Sequence, residues 1–256
     1  KEEQKLFEIL CSKYRKNKLA LFIRILQLET NPNMLLKTLD ISEFRAILDL
    51  SDDIDAIDFV DYSDEVVKLI NSIGTTTKKK ACIDETKRLV AEGKKVIIWC
   101  IFKDSIASIS QCLIDNGINA KCIYGAVPLE ERLQLIEDFR SGKYDVLLTN
   151  PHTLAESVSL HSVCHDAIYY EYSYNLVHLL QSKDRIHRLG LPDGQYTQYY
   201  YFQNWYDYNE KAYSLDANIY QRLSDKERIM LDAIDNQHLE AVCTPEEDLE
   251  LIFGEL

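Results

Sequence analysis

The stretch 181–190 carries the side chains of this sequence that are best suited to phosphate chemistry. In a helix, Gln181, Arg185 and Arg188 would stand at positions i, i+4 and i+7 and share one face. The planar guanidinium of an arginine presents a fork of N–H donors that matches phosphate oxygens. The pattern therefore predicts an arginine pair that faces phosphate. The alternative is a solvated charge cluster in which Arg185 pairs with an acid such as Asp184.

The length and composition of the chain exclude several classes of protein. Its 256 residues are enough for one large domain, or for one domain with helical additions. No apolar run reaches about 18 residues, so the sequence predicts no membrane span. The first residues lack the shape of a signal peptide, and we expect the chain to be a piece of a longer protein.

The cysteines indicate a reducing compartment. All seven are scattered, without a Cys-x-x-Cys pair, which is typical of buried thiols in a cytoplasmic protein. Cys164 and His165 lie close to His161 and are of the types that bind zinc. Adjacent residues of a strand point to opposite faces, however, so no metal site is predicted here.

The net charge of −13 is concentrated in the flanks of the chain. Residues 40–65 contain ten acids and one base, and residues 225–256 contain ten acids and two bases. The middle of the chain, 66–224, is neutral, with local basic spots such as 78–80. We expect a neutral domain to touch a phosphate backbone without holding it tightly on its own.

Alternating strands and helices are predicted in this neutral middle. Short apolar runs such as 96–101 are typical of strands that are covered on both faces. Strands are predicted at 96–101, 120–124, 145–149, 166–171 and 196–202, and an arginine-bearing helix at 175–189. Their short connections predict an α/β fold with a doubly wound parallel sheet and right-handed crossovers. Ligands of such sheets meet the loops beyond the carboxyl ends of the strands.

The flanks are predicted to be helical. Residues 1–50 have the apolar spacing of helices, and an acidic loop follows at 51–64. Beyond Asn204 the pattern is helical to about residue 242, and the acidic tail from Pro245 is expected to be mobile. Three parts are therefore predicted: a helical segment at 1–77, an α/β lobe at 78–204, and a helical extension with an acidic tail at 205–256.

Four stretches of the middle region stand in an order that is characteristic of one family. They are the strand 96–102 after Gly93-Lys94-Lys95, the segment from Tyr124-Gly125 through Arg132 to Phe139, the strand and loop that begin at Val146, and the segment 181–190. In this order they resemble motif IV, the glycine-to-phenylalanine helix, motif V and motif VI of superfamily 2 helicases. From Lys78 to Phe202 the chain resembles the second RecA-like lobe of these proteins, and most closely that of the bacterial-type Snf (SWI/SNF-like) DNA translocases. The sequence around Asn31-Pro32 also looks like the segment that enters this lobe.

The resemblance implies a DNA-dependent ATPase that works across two lobes. ATP with Mg²⁺ would lie between the lobes, where positive charge is needed as the transferred phosphoryl group gathers negative charge. The resemblance makes Arg188 the arginine finger, with Arg185 beside it on the γ-phosphate or the lobe interface. Gln181 and Gly190 of the same motif would belong to the nucleotide side. Double-stranded DNA would be the partner of the full protein.

The nucleic-acid contacts implied by the resemblance lie in other loops. In the motif V loop they are Thr149, Asn150, His152 and Thr153, and weaker candidates are Phe102, Lys103 and Lys79. The alternatives are an ordinary strand-to-helix cap for the loop and solvated side chains for the lysines. The family's motif V is rich in glycine, whereas 154–158 contains none.

The sequence lacks the phosphate cradle that this chemistry needs. It contains no Gly-x-x-x-x-Gly-Lys-Ser/Thr loop, and Asp64-Glu65 follows no buried strand that would make it a metal-binding acid pair. The cradle and the magnesium site are therefore expected on a first lobe outside this sequence, and the chain alone is expected to be inactive. Three alternatives stay open: an RNA or single-strand helicase lobe, a catalytically silent protein-interaction platform, and a small-molecule enzyme, which would lack its Gly-x-Gly-x-x-Gly turn.

Overall fold

The computed structural model describes residues 1–38, 63–154, 158–187, 194–236 and 243–254. In chain order the described elements are α1 (Glu2–Lys13), α2 (Lys18–Thr30), a 3₁₀ helix (Pro32–Leu36), α3 (Asp64–Ser72), α4 (Thr77–Ala91), β1 (Val96–Trp99), α5 (Lys103–Asp115), β2 (Ala120–Ile123), α6 (Leu129–Arg140), β3 (Val146–Thr149), β4 (Asp166–Tyr169), α7 (Leu176–Lys183), β5 (Gln198–Tyr201), β6 (Tyr206–Tyr208), β7 (Lys211–Tyr213), α8 (Leu215–Asn236) and α9 (Pro245–Phe253). Within the described ranges, no helix combines the length and the apolar character that crossing a membrane requires.

The described residues fall into two compact units. One contains the described parts of 1–77, 173–176 and 203–256, and the other contains those of 78–172 and 177–202. The three-part division at residues 77 and 204 stays a prediction.

The second unit is built on a five-stranded sheet. Its strand order is β2-β3-β1-β4-β5, and every neighbouring pair is parallel. The predicted α/β fold with a doubly wound parallel sheet is therefore confirmed. β1 is shorter than the apolar run that predicts it. The strand ends at Trp99, but the next two residues of the run, Cys100 and Ile101, are also buried, so the run marks buried residues and not only strand residues.

Helices cover both faces of this sheet. One face packs with α4 and α5 into an apolar core of side chains that includes Leu89, Ile98, Ile109 and Leu148. On the other face, the hydroxyl groups of Tyr169 in β4 and Ser182 in α7 are hydrogen-bonded at 2.7 Å. This packing holds α7 against the sheet, so the residues at its two ends have defined positions.

The arginine-bearing helix is shorter than predicted. The sequence pattern predicts a helix over 175–189, whereas α7 covers Leu176–Lys183. After the helix, the N–H of Arg185 donates to the carbonyl of Ser182 at 3.3 Å, which is a tighter turn. The carbonyl of Arg185 accepts from the N–H of Leu160 at 2.7 Å, and this contact with a distant loop replaces a helical bond. Arg185 therefore lies in a turn, and the predicted helical stripe ends before it.

The prediction of helix immediately after residue 204 is wrong, because a β-hairpin precedes α8. β6 pairs antiparallel with β7, with Tyr206 opposite Tyr213. The two residues between the strands, Asn209 and Glu210, have positive φ values of 49° and 62°. Positive φ at both central residues is what a two-residue type I′ hairpin turn requires.

The acidic tail also differs from the expectation of mobility, because it forms helix α9 of the first unit. A capping box between Thr244 and Glu247 begins the helix. The carboxylate of Asp248 is buried and accepts from Arg222 Nε at 2.6 Å and from Lys226 Nζ. These two bonds attach α9 to α8, so one acidic residue of the tail, Asp248, is neutralised by basic side chains of α8.

Candidate nucleotide and nucleic-acid sites

The carboxyl ends of the strands lie at one level of the sheet. Trp99, the last residue of β1, is in register with Thr149 of β3 and with Tyr169 of β4. The loops that follow β1, β3 and β4 therefore leave from the same edge, where ligands of such sheets bind. Lys103 and His152, both predicted to contact nucleic acid, lie within four residues of these strand ends.

A buried carboxylate that the sequence analysis missed organises this edge. Glu171 is 1% exposed, and its carboxylate accepts from the backbone N–H of Ile101 at 2.7 Å and of Phe102 at 2.9 Å, and from the hydroxyl of Ser105. Burial raises the pKa of Glu171, while the three hydrogen bonds and nearby Lys78 act in the opposite direction. The carboxylate therefore holds the turn from which α5 begins. The sequence signal was an acid at the end of an apolar run, where an unpaired acid is rare.

Two of the four predicted motif V contact residues are buried. Thr149 is fully buried, and Asn150 is 4% exposed. Within the part of the chain that the structure describes, neither Asn150 Oδ1 nor Thr153 Oγ1 has a hydrogen-bond partner, although both atoms are buried. Buried polar atoms are normally paired, so this loop retains hydrogen-bonding capacity. His152, in contrast, is exposed at the surface.

Three side chains that can carry positive charge converge beside this loop. The ring centroids of His152 and His178 are 6.4 Å apart, although one residue follows β3 and the other lies in α7. Partial desolvation, His178 and Lys103 all lower the pKa of His152. His178 was not predicted as a site residue. Its position in the sequence offered one indication: His178 stands three residues before Gln181, so in a helix the two side chains share a face.

The weaker candidates of the sequence analysis have other surroundings. Phe102 is 3% exposed, so its ring is not available for stacking on a base. Lys79 lies in α4 and donates to the hydroxyl of Ser108 in α5, which places it at a contact between these two helices. Lys103 is exposed at the first turn of α5 and lies close enough to His152 to affect its charge.

Arg185 is buried at the opposite end of α7. It is 8% exposed, its Nε donates to the carbonyl of Gln181 at 3.1 Å, and one terminal nitrogen donates to the carbonyl of Val158 at 3.2 Å. The side chain thus joins the end of α7 to the segment that leads from β3 to β4. Arg188 and Gly190, the other predicted residues of this motif, lie outside the described residues.

Described residues that follow β3 in the chain lie at both ends of α7. At one end His152 lies near His178, and at the other end Val158 and Leu160 are bonded to Arg185. The eight residues of α7 span about 12 Å. Residues that follow β3 are therefore in contact with the start of α7 and with the turn that carries Arg185.

No metal centre accompanies this arrangement in the residues described. No group of three His, Cys, Asp or Glu side chains there has positions suited to an ion. Cys164 is buried with its thiol directed at the carbonyl of Lys95 at 3.3 Å, and burial raises its pKa to about 12. Asp64 and Glu65 lie in the first turn of α3.

Part of the chain matches a known family of domains. Residues 77–190 match the family described as Helicase conserved C-terminal domain. The UvrABC system protein B of Aromatoleum aromaticum is 32% identical over 73 residues, which are 28% of this chain and 11% of that protein. The ATP-dependent RNA helicase DBP3 of Saccharomyces cerevisiae is 25% identical over 126 residues, which are 49% of this chain and 23% of that protein. The chain thus spans less than a quarter of the length of either relative.

A solved structure shares the fold over nearly the whole chain. The C-terminal part of the Fun30 ATPase domain superposes with a TM-score of 0.57 at 14% identity, and the match covers 95% of this chain and 83% of that one. At this identity the likeness concerns the fold alone. The parallel sheet with flanking helices is thus the RecA-like fold of helicase C-terminal domains.

Proposed function

We propose that residues 77–190, which match the family described as Helicase conserved C-terminal domain, are a helicase C-terminal domain of the superfamily 2 type, and that the chain is the second lobe of a Snf-type ATPase that moves along double-stranded DNA. In this proposal the lobe supplies an arginine finger and contacts to the DNA backbone. A first lobe supplies the phosphate cradle and the magnesium site. The order of the sequence motifs supports the choice of the Snf branch, and the fold shared with the C-terminal part of the Fun30 ATPase domain is compatible with it.

One observation carries this proposal: described residues that follow β3 contact both ends of α7. His152 lies near His178 at the strand-end edge, and Val158 and Leu160 are hydrogen-bonded to Arg185 in the turn after the helix. A translocase must convert a change at the nucleotide into a change at the nucleic acid. A stretch of chain attached to α7 at both ends is suited to transmit such a change.

We assign Arg185 a positioning role near the nucleotide. The guanidinium of Arg185 is bonded to two carbonyl oxygens, so it holds the turn that leads to Arg188. In the proposal, Arg188 then reaches the phosphates from this supported turn, with Gln181 and Gly190 on the same side. ATP with Mg²⁺, when bound by the first lobe, would supply the phosphoryl group whose hydrolysis drives the movement.

The ATPase activity of two proteins tests the proposal. The chain 1–256 alone is expected to show no DNA-stimulated hydrolysis, because it lacks the cradle. In an ATPase that contains both lobes, Arg188→Ala should lower the rate by about 10³-fold, and Arg228→Ala, at an exposed arginine of α8, should not. DNA-stimulated turnover by 1–256 that is lost on Arg188→Ala would contradict the division of labour between lobes.

A second candidate function is that of an RNA helicase lobe. The match to a protein named as an ATP-dependent RNA helicase covers about half of this chain and favours it. Stimulation of the two-lobe ATPase by duplex DNA and by RNA, compared at the same salt concentration, separates the two functions. A rate that neither nucleic acid stimulates, and that Arg188→Ala does not change, would instead indicate an interaction platform.

A further inference from the structure

We infer that His178 joins His152 and Lys103 to form a binding site for one backbone phosphate at the strand-end edge of the sheet. The inference rests on the proposed nucleic-acid function of this edge and names the group that the edge recognises. It adds a residue of α7, the helix that leads to the arginines, to the nucleic-acid side of the lobe.

The geometry brings three elements to one place. His152 comes from the loop after β3, His178 from the first turn of α7, and Lys103 from the first turn of α5. His152 and Lys103 are exposed, and His178 is half-buried with its ring centroid 6.4 Å from that of His152. A phosphate placed alongside the two rings, rather than between them, could accept a hydrogen bond from each imidazole, with Lys103 adding positive charge nearby.

The charges around His152 favour an anion. Burial is the first cause that lowers the pKa of His152, and among the described residues His178 and Lys103, both of the kind that becomes positive, lower it further. A bound phosphate reverses this effect, because it favours the protonated form of both rings. Binding should therefore take up protons, and affinity should rise as the pH falls toward the range in which histidines are charged.

The loop beside the histidines offers further hydrogen-bonding groups. Thr153 Oγ1 is buried without a partner among the described residues, one position after His152. A hydroxyl can donate to a phosphate oxygen. On the other side, Glu171 holds the turn at Ile101 and Phe102 from which Lys103 follows. The turn before Lys103 is therefore held by hydrogen bonds, and the loop that carries His152 contains a hydroxyl, that of Thr153, with no partner among the described residues.

The proposed site predicts a specific effect of His178. A hydrogen bond to a charged group contributes about 1.5–3 kcal/mol, which corresponds to a loss of roughly tenfold or more in affinity when the imidazole is removed. Exposure of the site to solvent reduces this, and we expect His178→Gln to weaken duplex binding about fivefold near pH 6. Near pH 8, where the imidazole is neutral, we expect less than about twofold.

Two measurements on the chain 1–256 test the inference. The first is the anisotropy of a labelled DNA duplex of about 20 base pairs at low salt, near pH 6 and near pH 8, because weak phosphate binding is visible only at low salt. The variants are His178→Gln, His152→Gln and His178→Lys, with His161→Gln as a matched control whose ring contacts Ser159. The second follows the histidine ring resonances by NMR while inorganic phosphate is added.

The two measurements separate the inference from the proposed function. Support consists of weaker binding by His178→Gln near pH 6, binding retained near pH 8 by His178→Lys, and movement of the His152 and His178 resonances with phosphate. Duplex binding that His178→Gln and His161→Gln leave equally intact overturns the inference and leaves the proposed function standing. Phosphate-dependent resonance shifts without any duplex binding support the site and count against the proposed function. If neither the duplex nor phosphate binds, both are overturned.

Discussion

Replacement of Glu171 by alanine should destabilise the unit that contains the five-stranded sheet more than replacement of an exposed acid does. The change leaves the N–H groups of Ile101 and Phe102 and the hydroxyl of Ser105 without their acceptor. An unpaired buried donor costs about 1–3 kcal/mol, so the two N–H groups alone give roughly 2–6 kcal/mol. The cost of burying the carboxylate, which is visible in the raised pKa of Glu171, offsets part of this loss. We expect a net decrease of about 3 kcal/mol in the free energy of unfolding.

Urea unfolding followed by tryptophan fluorescence measures this loss. Trp99 is buried in β1, and Trp205 is the other tryptophan of the sequence. A Trp205→Phe background therefore makes the signal report on the sheet. The control is Glu130→Ala, at an exposed acid in the first turn of α6, for which we expect a decrease of about 0.3–1 kcal/mol. Equal losses for Glu171→Ala and Glu130→Ala would refute the role assigned to the buried carboxylate.

The pH dependence of stability gives a second view of the same group. The folded-state pKa of Glu171 lies above its ordinary value of 4.5 because of burial. The folded state therefore binds the Glu171 proton more strongly than the unfolded state does. The stability that this gives is fully present below pH 4.5 and is lost as the pH rises through the raised pKa of Glu171. Glu171→Gln cannot titrate, so its unfolding free energy should lack this decrease. Parallel curves for the wild type and Glu171→Gln would show that burial does not control the group.

Two further predictions concern the first unit and the turn after α7. Asp248→Ala should lower the unfolding free energy by about 3 kcal/mol, because it leaves Arg222 without its buried partner. Glu250→Ala on the same helix removes a more exposed ion pair and should cost less than about 1 kcal/mol; equal values in thermal unfolding would contradict this ranking. Arg185→Lys loses the fork that bonds two carbonyls, and the amide of Leu160 should exchange with deuterium about tenfold faster. Unchanged exchange at Leu160 would show that the guanidinium does not hold this segment.

The sheet was predictable from the sequence because its signal is local. The central strands β1 and β3 are rich in consecutive apolar residues, and the helices between the strands have clear starts and ends, such as the turn at 116–117. The hairpin at 206–213 was missed because its turn uses Asn209 and Glu210 at positive φ, without the glycine that usually marks such turns. The end of α7 was also missed, since it depends on a bond between Arg185 and Leu160, 25 positions apart, which no periodicity contains.

The candidate site was predictable only in part, for a similar reason. Lys103 and His152 could be placed at the strand-end edge from the order of the strands alone. The proximity of His178 could not, because it depends on how α7 packs against the sheet. Burial of Phe102 and Thr149 is likewise a property of packing, and residue type alone does not distinguish a buried aromatic ring from one that stacks on a base.

The strand order has a consequence for synthesis on the ribosome. β1 pairs with β3 and β4, and β2 at the edge of the sheet pairs with β3. A nascent chain that has emerged only as far as β2 therefore contains two apolar strands with no hydrogen-bonded neighbour. Pairing of β1 and β2 with the rest of the sheet begins only when Val146–Thr149 leaves the exit tunnel. Until then Val96–Trp99 is an unpaired, apolar strand, and this interval is when the chain has the greatest need of a chaperone.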